Sequence, residues 1–187
     1  MSGFISLDCG LPKDSSYTET STKLRYTSDA NYIETGLPKS ILLQYRRMKQ
    51  QQVWSLRSFP DGIRNCYRFN LTRNTKYLIR ATFMYGNYDE QNNLPEFDVH
   101  LGPNLWGTIK IENVSVDYSL EIIHVLSSDY LSVCLVNTNK GTPFISALEL
   151  RPLDNSTYIT QTGSLELSLR LDVGSTSNAT FRLDLFT

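Results

Sequence analysis

Apolar and polar residues alternate along most of this chain. Tyr77, Ile79, Ala81, Phe83 and Tyr85 interleave with Leu78, Arg80, Thr82 and Met84, so the first set shares one face of an extended strand. Phe97, Val99 and Leu101 alternate with Glu96, Asp98 and His100, and Leu131, Val133 and Leu135 with Ser132, Cys134 and Val136. Leu165, Leu167, Leu169 and Leu171 alternate with Glu166, Ser168, Arg170 and Asp172; at helical spacing these leucines would scatter around the circumference. Phe144 to Leu150 is apolar on both sides, as an interior strand requires. Turn chemistry separates the runs at Gly36-Leu37-Pro38, Pro60-Asp61-Gly62, Gly86-Asn87-Tyr88-Asp89, Gly102-Pro103-Asn104 and Asn139-Lys140-Gly141. Many short strands with such punctuation predict an all-β fold, a two-sheet antiparallel β-sandwich. The single helix candidate covers Ser40 to Gln52, where β-branched and aromatic residues compete with helical propensity. The domain is assigned to residues 4–172, and 173–187, with the Ser/Thr/Asn-rich stretch Gly174 to Asn178, to a linker or truncated tail.

Composition narrows the function more than the fold. The 187 residues match one domain, long enough to bury a core without staples. Lys plus Arg number 18 against 19 for Asp plus Glu, a balance that argues against a nucleic-acid partner. The basic run Arg46-Arg47-Met48-Lys49 is read as a solvated surface. No apolar run approaches the 18 residues of a membrane span, and only Met1-Ser2-Gly3 precedes the first strand, leaving no room for a secretory signal. That start fits a cytosolic protein, a mature domain, or a gene model lacking its first exon. Four Asn-x-Ser/Thr sequons, at Asn70, Asn113, Asn155 and Asn178, fall at strand ends or turns and are candidate glycosylation sites. Their number is close to what chance yields at this composition.

Three cysteines, Cys9, Cys66 and Cys134, are too widely spaced for a structural zinc site, and no metal or other cofactor is expected. An odd count allows at most one internal bridge. Cys66 and Cys134 both lie on the less apolar faces of their strands and are the pair chosen if a bridge forms, although three free buried thiols are the leading expectation.

Catalytic motifs are missing. There is no G-x-S-x-G elbow, no H-E-x-x-H and no kinase signature, and His100 and His124 fit structural roles. Paired carboxylates are the one enzymatic alternative: Glu96, Asp98, Glu121, Glu149 and Glu166 all fall on predicted strands and would serve a small jelly-roll glycosidase if two faced one groove. The stronger candidate is a binding loop. Tyr85-Gly86-Asn87-Tyr88-Asp89 sets two aromatic rings beside an amide and a carboxylate, the mix that covers the C–H face of a sugar and bonds its hydroxyls.

Specific strings then carry a resemblance. Asp8-Cys9-Gly10, Tyr26-Thr27-Ser28-Asp29, Tyr32-Ile33-Glu34-Thr35-Gly36, Leu56-Arg57-Ser58-Phe59-Pro60-Asp61-Gly62, Tyr85-Gly86-Asn87-Tyr88-Asp89, Phe97-Asp98-Val99-His100-Leu101-Gly102 and Gly141-Thr142-Pro143-Phe144-Ile145-Ser146-Ala147-Leu148-Glu149-Leu150-Arg151-Pro152-Leu153 resemble the malectin-like extracellular domain of plant leucine-rich-repeat receptor kinases, over about Phe4 to Arg182. The resemblance implies a malectin-like jelly roll and a non-catalytic recognition module. It implies a place on the extracellular face of the plasma membrane in a parent receptor, with carbohydrate or peptide ligands and co-receptor proteins as partners. Membrane attachment would come only from a C-terminal region not in this chain, which corresponds to the first of two tandem modules. Animal malectin carries a Tyr-Phe pair where this chain has Tyr85-Gly86, with an aromatic returning at Tyr88, and Tyr32 is matched to a second sugar-binding tyrosine. The candidate ligand set is therefore Tyr85, Asn87, Tyr88, Asp89 and Tyr32.

Overall fold

The computed structural model describes residues 4–154, 156–159 and 163–166. Two layers of antiparallel strands enclose the core. The larger sheet has seven strands in the order β14-β10-β7-β13-β1-β3-β2, comprising β1 (Ile5–Asp8), β2 (Ser16–Thr18), β3 (Arg25–Ser28), β7 (Lys76–Met84), β10 (Asp117–Val125), β13 (Ala147–Leu153) and β14 (Ser164–Glu166). Facing it are four strands in the order β6-β11-β8-β9: β6 (Arg64–Asn70), β8 (Glu96–Leu101), β9 (Asn104–Lys110) and β11 (Tyr130–Lys140). The period-two pattern explains the contact between layers. Tyr77, Ile79, Ala81 and Phe83 of β7 point inward, as do Phe97 and Val99 of β8 and Leu131, Val133 and Leu135 of β11, and all are buried. The Phe83 and Phe97 rings meet edge-on across the layers at 5.7 Å.

A third sheet of three short strands, β12-β5-β4, adds to the two expected: β4 (Leu37–Ser40), β5 (Ser55–Ser58) and β12 (Phe144–Ile145). The stretch Phe144 to Leu150 is thus two strands in two sheets. The chain changes sheet at Ser146, whose N–H donates to the Thr82 carbonyl (2.9 Å), whose Oγ accepts from Met84 N (3.0 Å) and whose carbonyl accepts from Cys9 N (2.8 Å). One pair in the large sheet, β1 with β3, is parallel. The helix expected over Ser40 to Gln52 is not formed. Two 3-10 turns, Leu43–Tyr45 and Gln51–Val53, stand there instead, flanked by extended Leu42 and Gln50, with Met48 left-handed at φ 65°. The extended and left-handed positions break the run inside itself, and Ile41 N to Trp54 O (3.1 Å) and Leu42 N to Gly86 O (3.0 Å) tie its start to other parts of the chain.

The expectation of three free thiols is corrected as well. Cys66 and Cys134 are directly opposite each other on β6 and β11 and form a disulfide; Cys9 is free and buried. Of the Leu165–Leu171 alternation, only Leu165 and Glu166 lie among the described residues. Asn155, Asn178 and the tail at 173–187 lie outside them. No helix among the described residues is long and apolar enough to cross a membrane.

Candidate functional site

The loop after β7 is built inward. Tyr85 extends the core face of the strand and is 0% exposed; Tyr88 and Asn87 are also buried. The Tyr85 and Tyr88 rings meet edge-on at 5.5 Å, and both pack on Phe144. The loop's polar groups bond to one another and to neighbouring elements. The Tyr85 hydroxyl donates to Asp89 Oδ1 (2.6 Å), Asn87 Oδ1 accepts from Asn92 N (2.9 Å), and the Tyr88 hydroxyl lies 3.2 Å from Ser58 Oγ. Burial first, then the neighbouring Asp89 carboxylate, hold the Tyr85 phenol above its ordinary range. Gly86, at φ +46°, lies against Ile41: a Cβ there would stand 2.4 Å from that residue's own Cβ. Stacking on a sugar needs an exposed ring face. Tyr85, Asn87 and Tyr88 form a buried aromatic corner with the half-buried Asp89 at its rim, and this loop presents no exposed ring face.

Tyr32 is elsewhere and is half-exposed. Its ring rests on Phe69 at 4.9 Å. It lines a polar groove of about 590 Å³ together with Asn31, Glu34, Arg64, Asn65 and Arg68. The groove floor is anchored from below. Asp29, fully buried, accepts from Arg57 through both carboxylate oxygens (2.6 and 2.7 Å) and from the Tyr67 hydroxyl (2.7 Å). That network fixes the 3-10 turn Asp29–Asn31 and the Tyr32 backbone that follows it.

The other wall is β6, an edge strand. Arg68 N donates to Tyr32 O (3.0 Å), away from β11, while Ile63 O accepts from Asn137 N (2.8 Å), toward it. With a two-residue period, the N–H and C=O of Arg64 and Cys66 also point out of the sheet. No described residue pairs with them, so they are free groups on the groove side of an open edge. Arg64, Arg68 and Glu34 were not singled out from sequence. Arg64-x-Cys66-x-Arg68 was a legible polar strand face, but its pairing with residues 31–35 depends on a long-range contact.

The five candidate carboxylates are spread over both sheets. Glu121 and Glu149 are buried on the outer face of the large sheet, one on each side of Arg80 and separated by two strand spacings, about 10 Å. Arg80 Nε lies 2.8 Å from Glu121, and Glu149 accepts from Arg151 (2.9 Å) and from the Tyr26 hydroxyl. Glu96 and Asp98 are on the opposite sheet, held by Lys140 and by Thr108, and Glu166 is exposed on β14. The buried Glu121 and Glu149 are thus held by arginines on the sheet face. His100 Nδ1 lies 3.3 Å from Pro103 O and His124 Nδ1 lies 2.7 Å from Ser164 Oγ, in different sheets; burial holds His124 below the ordinary histidine range.

Comparison with known proteins supplies the family. The model of the malectin-like domain matches residues 7–186. The Arabidopsis thaliana LRR receptor-like serine/threonine-protein kinase At1g51880 is 58% identical over 164 residues, which are 87% of this chain and 19% of that protein. The receptor-like kinase IOS1 of the same plant is 52% identical over 187 residues, 99% of this chain and 21% of its own length. The chain thus spans about a fifth of the curated relatives it matches. Among solved structures, the ANX2 ectodomain from Arabidopsis thaliana superposes with a TM-score of 0.71 at 17% identity, covering 82% of this chain and 43% of that one. A complex of the plant peptide RALF23 with FER and LLG2 gives 0.64 at 16% identity, covering 88% of this chain and 47% of that one. At such identities the likeness shows the fold.

Proposed function

The chain belongs to the malectin-like domain family, and on that premise we propose that it is a non-catalytic recognition module from the extracellular part of a plant receptor-like kinase, exposed at the outer face of the plasma membrane. Its ligand is an extended polypeptide segment carrying a carboxylate, which adds to the free edge of β6 in the groove beside Tyr32. The observation that supports this reading is the pair of outward-facing backbone groups at Arg64 and Cys66, flanked by Arg68 and a half-exposed tyrosine, while the Arg64 guanidinium donates to Gly102 O. Backbone groups at every second residue match an incoming strand and supply affinity, while Arg68 selects an acidic side chain. A solved relative in fold binds a peptide, RALF23, beside a second protein, LLG2, which supports a peptide ligand and a co-receptor as the partner class. Sugar binding at the Tyr85–Asp89 loop is the weaker reading, because it requires two rings to leave the core.

Hydrogen exchange with acidic peptides selected from a displayed library tests this. The expected result is protection of the Arg64 and Cys66 amides on binding, with affinity falling on the order of tenfold in Arg68→Ala. Heat from titration with glucose disaccharides or galacturonate oligomers, abolished by Tyr85→Phe and untouched by Arg68→Ala, would transfer the function back to the aromatic loop.

A further inference from the structure

Two of the sequons fall among the described residues, and both asparagines are exposed, but their surroundings differ. Asn113 closes a local turn, its Oδ1 accepting from Ser115 N (2.9 Å) and Ser115 Oγ (2.8 Å). Asn70 is the last residue of β6 and stands directly opposite Tyr130, the first residue of β11. Opposed residues of an antiparallel pair project from the same face. This pair is of the closer, non-hydrogen-bonded kind, because the neighbouring Leu71 N donates to Asp129 O (3.0 Å) while the even-numbered Arg68 N points away from β11. The two Cβ atoms are therefore about 4.5–5.5 Å apart. Tyr130 is 63% exposed, and no other ring among the described residues packs on it. An aromatic ring this open, beside an asparagine with no side-chain partner among the described residues, is an apolar surface without a cover.

We propose that Asn70 carries an N-linked glycan and that the Tyr130 ring is its platform, with the C–H face of the first N-acetylglucosamine lying on the ring. Attachment forms a bond from Asn70 Nδ2 to C1 of the sugar. It breaks the bond from C1 to the oxygen of a lipid diphosphate oligosaccharide donor, and the amide gives up one proton to the transferase. Thr72 completes the acceptor sequence. Once attached, the sugar removes apolar ring surface from water and leaves its hydroxyls solvated. It also stands two residues from Arg68 on the same strand face, at the end of the open β6 edge. The proposal requires passage through the secretory route; it does not require that the groove bind a peptide.

The test uses the full chain secreted from plant cells. Glycopeptide mass spectrometry reads occupancy at Asn70, and thermal melts compare Tyr130→Ala in two backgrounds, with the sequon intact and with Thr72→Ala. The expected result is an occupied Asn70 and a loss of about 2–4 °C for Tyr130→Ala only when the glycan is present. Tyr130→Phe keeps the melting point, and so does enzymatic trimming to a single N-acetylglucosamine. An unmodified Asn70 overturns the proposal. So does an equal shift for Tyr130→Ala in both backgrounds, which would leave the ring independent of the sugar.

Discussion

The loop at Tyr85–Asp89 and the groove at Tyr32 share their chemistry: tyrosine, asparagine and a carboxylate in a short segment. They differ in where their hydrogen bonds go. In the loop, the Tyr85 hydroxyl donates to Asp89 Oδ1, Asn87 Oδ1 accepts from Asn92 N, and both rings pack on Phe144. Beside Tyr32, the β6 edge keeps its Arg64 and Cys66 backbone groups unpaired among the described residues, and the charged side chains stay at the surface. A polar aromatic segment becomes a recognition surface only when its donors and acceptors are left unused by the fold. When they are used, the same residues serve the core.

The largest expected difference is in stability. Tyr85→Ala opens a cavity against Phe144 and costs about 3–5 kcal/mol in urea unfolding. An effect under about 1 kcal/mol would mean that the loop is not part of the core. The groove has its own buried support, so Arg57→Ala, which strands the Asp29 carboxylate, is expected to cost about 3–5 kcal/mol and to speed amide exchange at Tyr32. Gly86→Ala comes next. It forces a side chain into a left-handed backbone position and against Ile41, at a cost of about 1–3 kcal/mol in the same unfolding assay.

A pH experiment separates the Asp29 side from the loop. Burial raises the Asp8 carboxyl to about 7; the hydrogen bond from Tyr17 opposes this, and the nearby Asp29 charge adds to it. The native state therefore holds a proton that the unfolded chain has already released. Stability at this site is full below the ordinary aspartate range, falls as pH rises from about 4 to about 7, and levels above that. Asp8→Asn should flatten that slope in melts recorded across the window, and an unchanged slope would place the titration elsewhere. The smallest stability effect is expected for Tyr32→Ala, about 1 kcal/mol or less, with loss of ligand binding out of proportion to it.

Much of the core was legible before any coordinates. The alternation from Tyr77 continues without a break to Tyr85, which already puts Tyr85 on the buried face, although the chemistry of its loop also suits binding. Cys66 and Cys134 shared a polar face in the sequence and prove to be opposed across one strand pair. Tyr88 was not legible, because its burial depends on Ser58 and Phe144, far away along the chain. Nor was the failure of Ser40 to Gln52 to form a helix, since extended Leu42 and Gln50 and left-handed Met48 interrupt a segment whose start is tied to Trp54 and Gly86.

From its own pattern the chain determined which residues form strands, which face of each is apolar and where most turns fall, because a two-residue period and turn chemistry act over a few neighbouring residues. Tertiary structure alone decided the switch of sheets at Ser146, the Arg57–Asp29 anchor, the open edge of β6 and the meeting of Asn70 with Tyr130. Each of these joins residues at least 20 positions apart, and side-chain periodicity holds no information about which distant strand will be the neighbour.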